Sequence, residues 1–162
     1  MDKQNLLDGV KTIHFIGIGG SGMCPLAEIL FNEGYKITGS DVAESDTLER
    51  IRSYGIPVTM GHYPENVEGA DLIVYTAAVK LDNPELVAAK HLGIPAVERC
   101  IMLGEVTRKY NRSIAVSGTH GKTTTTSMLT HILLQADTDP TVSVGGMLDL
   151  SLIHISEPTR RT

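Results

Sequence analysis

The sequence predicts an α/β chain in which a parallel sheet covered by helices is followed by the truncated start of a second α/β unit. Three observations predict it. From Thr12 to about Lys109, short β-branched runs alternate with helical stretches, the pattern of strands joined by crossover helices. Two glycine-rich turns, at 17–22 and 118–121, each stand between an apolar run and a helical stretch. Beyond Gly146 both patterns stop: 150–162 has no helix cap, and its short apolar run is cut by Glu157 and Pro158.

The elements follow in order. Residues 12–17 form an uncharged first strand, and a helix runs from about 23 to 32. A strand at 36–40 leads to a helix that starts after the capping residue Ser45 and stops at Gly55. Strands are expected at 57–60 and 71–75. The next helix begins at Asn83 with Pro84 at its first position and ends at Gly93. A strand at 95–97 and a helix over 100–110 complete the first unit, and 109–113 is the hinge. The second unit offers a strand at 114–117, a helix over 122–135 and a strand at 140–144. Met128, Leu129, Ile132 and Leu133 give that helix one apolar face. A unit this small rarely folds alone, so the chain reads as cut inside its second domain.

Composition narrows the function classes. The 162 residues are 41% hydrophobic with a net charge of -5, no tryptophan and 4% aromatics, which excludes a nucleic-acid partner held by a basic or base-stacking surface. Cys24 and Cys100 belong to no C-x-x-C pair and are expected to be reduced, buried thiols. The polar start has no leader-type apolar segment, and no run is long enough for a membrane helix. A cytoplasmic protein without membrane insertion is expected, and its oligomeric state is left open.

The first turn, Gly17-Ile-Gly-Gly-Ser-Gly22, satisfies G-x-G-x-x-G after a strand and before a helix, the Rossmann-like arrangement. Its geometry selects a diphosphate at a helix N-terminus, whichever nucleoside carries it, so a dinucleotide and a nucleotide sugar both fit. Asp41 stands close to where a ribose-binding acid belongs, and it is equally well placed as a polar residue opening the next turn. The second turn, Gly118-Thr-His-Gly-Lys-Thr123, is a phosphate-binding loop. Its glycines let amides close on phosphate oxygens, Lys122 adds charge, and the Thr123 hydroxyl suits Mg²⁺. The alternative is a plain strand-to-helix turn with a solvated lysine. Val116 stands where G-x-x-x-x-G-K-[ST] has its first glycine, which counts against a generic P-loop ATPase or kinase.

With both loops placed, the chain resembles the Mur ligase family of bacterial peptidoglycan synthesis. Residues 16–23, 38–41, 61–62, 75–78, 83–85 and 117–124 carry the likeness, which covers about 10–148. His120 is similar to the muramate–alanine branch, where sister ligases usually have asparagine. The resemblance implies a Rossmann-like UDP-sugar-binding domain at 1–110, the incomplete start of a central ATP-binding domain at 111–149, and a non-native tail at 150–162 that reads as translated adapter sequence.

It also implies ATP-dependent amide formation between UDP-N-acetylmuramate and L-alanine through an acyl phosphate, with ATP and Mg²⁺. Gly118, Thr119, His120, Gly121, Lys122, Thr123 and Thr124 would bind ATP, with Lys122 and Thr123 catalytic and Thr123 on the metal. Gly17, Gly19, Gly20, Ser21, Gly22, Met23, Asp41 and His62 would hold the UDP sugar. His62 is equally readable as a turn residue after Gly61, and His14, His91 and His131 as packing or surface residues. By the same resemblance the chain should not ligate by itself and retains only nucleotide-sugar binding. Two other classes stay open: an NAD(P)-dependent oxidoreductase, which explains the first loop alone, and a stand-alone nucleotide-binding module.

Overall fold

The computed structural model describes residues 6–143. The chain divides into two compact units, Met1–Ala115 and Val116–Thr162. The first holds a five-stranded, wholly parallel sheet made of β1 (Thr12–Ile16), β2 (Lys36–Asp41), β3 (Val58–Met60), β4 (Leu72–Tyr75) and β5 (Ala96–Glu98). Its helices are α1 (Cys24–Asn32), α2 (Asp46–Ser53), α3 (Pro84–Leu92) and α4 (Arg99–Arg108), with a 3₁₀ turn at Pro64–Val67 that the sequence pattern does not announce.

Strand order is β3-β2-β1-β4-β5. The chain therefore runs outward from β1 in one direction and, after β4, in the other, which makes the β1/β4 boundary the switch point of the sheet. Alternation along the central strands sorts the core. Ile13, Phe15, Leu72 and Val74 pack with residues of α1, α2 and α4, including Leu26, Leu30, Leu48, Ile51 and Met102. Ile16 and Ile73 pack on the other face with Val67 of the 3₁₀ turn and with Leu86 and Ala89 of α3. His14 belongs to this second face by the same period.

The helix ends bear out the local chemistry. The Ser45 side chain accepts from the Leu48 amide at the start of α2, and Asn83 accepts from the Glu85 amide at the start of α3. Gly93 closes α3 in the left-handed conformation at φ 70°. Across the sheet edge, Asp71 Oδ2 accepts from the amides of Lys11 and Thr12 and fixes the entry of β1. Those two hydrogen bonds hold the Asp71 carboxyl below its ordinary value.

In the second unit α5 (Lys122–Gln135) forms over the expected residues. The expected strand at 114–117 does not: these residues carry no regular structure, and among the described residues no strand pairs with them. A strand needs a neighbour for its backbone hydrogen bonds, and an apolar run by itself does not provide one. Residues 140–143 are likewise irregular, while Val144 and the tail 150–162 lie outside the described residues. Within α5, Met128 and Ile132 of the expected apolar face are each 62% exposed, and the buried residue is Thr130. The cysteine expectation divides as well. Cys24 is buried, whereas Cys100 is exposed, because α4 turns that position away from the face that buries Met102 and Val106.

Candidate functional site

The first glycine loop leaves β1 at the switch point. Gly17, at φ 79°, starts a turn whose amides are mostly used within the protein. Gly17 and Ile18 donate to the Ser40 carbonyl at 2.8 and 3.0 Å, and Gly20 donates to the Gly17 carbonyl at 3.1 Å. Gly19 donates to Asp41 Oδ2 at 2.8 Å. A Cβ on Gly19 would lie 2.9 Å from that same oxygen, so a side chain there would have to displace the Asp41 carboxylate from the loop. The Thr47 hydroxyl donates to the Gly19 carbonyl and ties the loop to α2. Among the described residues, the Ser21 and Gly22 amides have no acceptor and remain free for a ligand. Met23 turns into the core, fully buried, so its side chain is not part of the site.

A cavity of about 730 Å³ opens beside this loop. Its walls come from the carboxyl ends of the strands: Gly17, Gly19 and Gly20 after β1, Asp41 at the end of β2, His62 after β3, and Thr76, Lys80 and Asn83 after β4. That is where open parallel sheets hold ligands. Asp41 lines it, but its carboxylate is already engaged. Besides Gly19, it accepts from the Val42 and Ala43 amides at 2.7 and 3.2 Å, so its observed work is to brace the loop.

Beneath His62 lies a buried polar cluster centred on Glu85, which is fully buried in the first turn of α3. Its Oε2 accepts from the Ser40 hydroxyl at 2.7 Å and from His62 Nδ1 at 2.9 Å. Its Oε1 accepts from Asn66 Nδ2 at 2.6 Å, and Asn66 also donates to the Gly61 carbonyl at 3.2 Å. His14 Nδ1 meets the Thr38 hydroxyl at 2.9 Å, while its Nε2 lies 3.4 Å from Glu85 Oε1 and makes no hydrogen bond. Burial alone would push the Glu85 carboxyl up; the nearby His14, Asn66 and Ser40 outweigh it and hold the group below its ordinary 4.5. The cluster therefore contains a buried carboxylate, stabilised further by the N-terminus of α3.

Two cations escaped the sequence reading. Lys80 lines the cavity. Arg99, the first residue of α4, lies against the glycine loop: a Cβ on Gly22 would sit 3.2 Å from its guanidinium carbon. No hydrogen bond or ion pair engages the Arg99 side chain among the described residues. No motif marks Lys80, but Arg99 lies two residues past the strand expected at 95–97, at the carboxyl end of the sheet, a position that could have flagged it. Cys24, beside the loop, is no nucleophile. Burial first, then the charge of Glu28 and a hydrogen bond to it, push its thiol up to about 12, against the opposing pull of Arg50.

In the second unit, residues 117–124 are exposed. Gly118 and Gly121 take φ values of 156° and 77°, and Gly121 caps α5 in the left-handed conformation. The ammonium of Lys122 folds back on the carbonyls of Gly118 and Thr119. The first amides of α5 have no acceptor within the helix, as an anion-binding turn requires. Thr123 supplies one oxygen at that turn, and no group of three or more His, Cys, Asp or Glu able to hold a metal occurs among the described residues.

A family model described as "Mur ligase family, catalytic domain" matches residues 12–111. A UDP-N-acetylmuramate–L-alanine ligase of Acetivibrio thermocellus is 53% identical over 151 residues, 92% of this chain and 32% of that protein. One from Sulfurihydrogenibium sp. is 55% identical over 140 residues, 86% of this chain and 31% of that protein. Among solved structures, the UDP-N-acetylmuramate–alanine ligase of Thermotoga maritima superposes with a TM-score of 0.82 at 38% identity, over 86% of this chain and 33% of that one. The UDP-N-acetylmuramate:L-alanyl-γ-D-glutamyl-meso-diaminopimelate ligase of Neisseria meningitides gives a TM-score of 0.73 at 33% identity, over 79% of this chain and 40% of that one. The chain spans about a third of the length of the curated relatives it matches. A model that matches the whole sheet and its glycine loop, with relatives above half identity across that stretch, leads to one conclusion: the chain belongs to the Mur ligase family.

Proposed function

We propose that this chain is the nucleotide-sugar-binding part, with the first phosphate-loop segment, of an ATP-dependent ligase that adds L-alanine to UDP-N-acetylmuramate in peptidoglycan synthesis. The observation that carries the reading is the switch-point cavity bounded by the first glycine loop, in a chain whose similar proteins are named for that substrate. Residues 1–110 would hold the UDP sugar. The free Ser21 and Gly22 amides would face the diphosphate, with Arg99 and Lys80 as counter-charges and His62 contributing from the far wall. Residues 111–149 would begin the ATP-binding domain, and the reaction would run in the cytoplasm.

In the reaction, the muramyl carboxylate attacks the γ-phosphorus of ATP, the β–γ bridging bond breaks, and ADP leaves. The L-alanine amine then attacks the acyl carbon, expels phosphate and loses a proton. Gly118, Thr119, His120, Gly121, Lys122, Thr123 and Thr124 would position the triphosphate, with Lys122 offsetting charge on the transferring group. Mg²⁺, when bound, would neutralise phosphate charge, and the Thr123 hydroxyl, directly after Lys122, would be the loop oxygen offered to it. For that role Lys122 must release the Gly118 and Thr119 carbonyls and turn to the nucleotide.

An NAD(P)-dependent oxidoreductase is not favoured, because the similar proteins that match most of this chain are named as ligases. Calorimetric titration separates the two readings: heat with UDP-N-acetylmuramate and none with NADH is expected, and the reverse would overturn the proposal.

A further inference from the structure

We propose that Glu85 is the positioning residue of the switch-point cavity: its buried carboxylate holds the His62 ring by Nδ1–H and so reserves the Nε2 edge for the nucleotide-sugar ligand. The inference rests on the proposed function and adds to it a residue that contacts no ligand itself.

Three features of the cluster carry it. Glu85 Oε2 lies 2.9 Å from His62 Nδ1, and the Ser40 hydroxyl approaches that same nitrogen at 3.1 Å while donating to Glu85. With the carboxylate ionised, Nδ1 must carry the proton, since an acceptor there would face another acceptor. His62 Nε2, in contrast, has no protein partner among the described residues, and the ring is 21% exposed where it lines the cavity. Finally, Glu85 fixes the backbone that carries His62, because Asn66 bridges Glu85 Oε1 and the Gly61 carbonyl. Gly61, at φ 95°, is the turn from which His62 projects.

A carboxylate used only to fill the core would be an unfavourable choice. Burying a charge costs free energy that must be recovered from several donors, and apolar packing would serve stability as well. Setting a ring tautomer and direction is what an ionised carboxylate does and an apolar side chain cannot. His14 completes the enclosure from β1 without reaching hydrogen-bond geometry.

The test is a double-mutant cycle on the full chain, read by calorimetric titration with UDP-N-acetylmuramate. His62→Asn removes Nε2 and keeps a side-chain N–H; Glu85→Gln removes the charge at nearly constant volume. Each single variant is expected to weaken binding about tenfold, with no further loss in the double variant, because Glu85 acts through His62. Wild-type affinity in Glu85→Gln, or losses that multiply in the double variant, overturns the proposal. Nitrogen-15 NMR of His62 gives a readout that needs no ligand. The wild-type ring is expected to be protonated at Nδ1, and an Nε2-protonated neutral ring overturns the proposal even if Glu85→Gln fails to fold. A wild-type chain that does not bind UDP-N-acetylmuramate overturns the nucleotide-sugar reading and the ligand half of this one, while the ring tautomer still decides the positioning half.

Discussion

The two glycine loops start from similar sequences and end in different states. The first follows β1, which pairs with β2 on one side and β4 on the other, and Ile13, Phe15 and Ile16 beneath it are fully buried. The loop is further tied by Asp41, by Thr47 and by the Ser40 carbonyl. The second follows 114–117, which has no strand partner among the described residues, and Ile114 is 67% exposed. Its lysine bonds to its own loop rather than to a neighbouring element. A glycine motif thus supplies a backbone able to cradle phosphate, while the sheet around it decides whether that cradle is held in place.

Paired perturbations test the contrast. The largest effect is expected from Phe15→Ala, which should cost about 3–5 kcal/mol in denaturant unfolding, because the ring is fully buried under the first loop. A cost below about 1 kcal/mol would break the comparison by showing that the first loop does not rest on a packed core.

The next effect is pH-dependent. Glu85 is held below its ordinary 4.5, so the stability it contributes is fully present above that value and is lost as pH falls through the lower folded value. Acid titration of unfolding should therefore show a shallower loss for Glu85→Gln than for wild type. Identical slopes would remove Glu85 from the account.

Smaller again is Ser45→Ala, which deletes the acceptor for the Leu48 amide and should cost about 1 kcal/mol. Smallest is Ile132→Ala on α5, expected within about 0.5 kcal/mol of wild type because the side chain is 62% exposed. If Ile132→Ala rivalled Phe15→Ala, α5 would be packed in solution and the contrast between the loops would vanish.

Much of the first unit was legible because its signals are local. Ser45, Asn83, Pro84 and Gly93 bound their helices through contacts with their own chain neighbours, and alternation placed all five strands. The strand expected at 114–117 failed because strand formation is a property of a pair, and β-branched residues there speak only for themselves. Cys100 failed for a related reason: which side of α4 meets the sheet is set by packing, and α4 has weak periodicity to announce it.

At the site, Gly17, Gly19, Gly20, Asp41 and His62 were recognisable and do meet at one cavity, while Met23 goes into the core. Lys80 was missed because a lone cation has no spacing to read, and Arg99 although its place just past a strand end could have marked it.

By itself the sequence determined the strands and helices of the first unit, the glycine turns and the family, because caps, periodicity and motif spacing act over a few residues. Tertiary structure alone decided the strand order, and with it the switch point that gathers residues from four strand ends around one cavity. It also decided that Glu85, which reads as a first-turn acid of an ordinary helix, is a buried carboxylate meeting Ser40, His62 and Asn66. Those partners lie far from it along the chain, and a charge survives burial only where donors from separate elements converge, an arrangement no local pattern encodes.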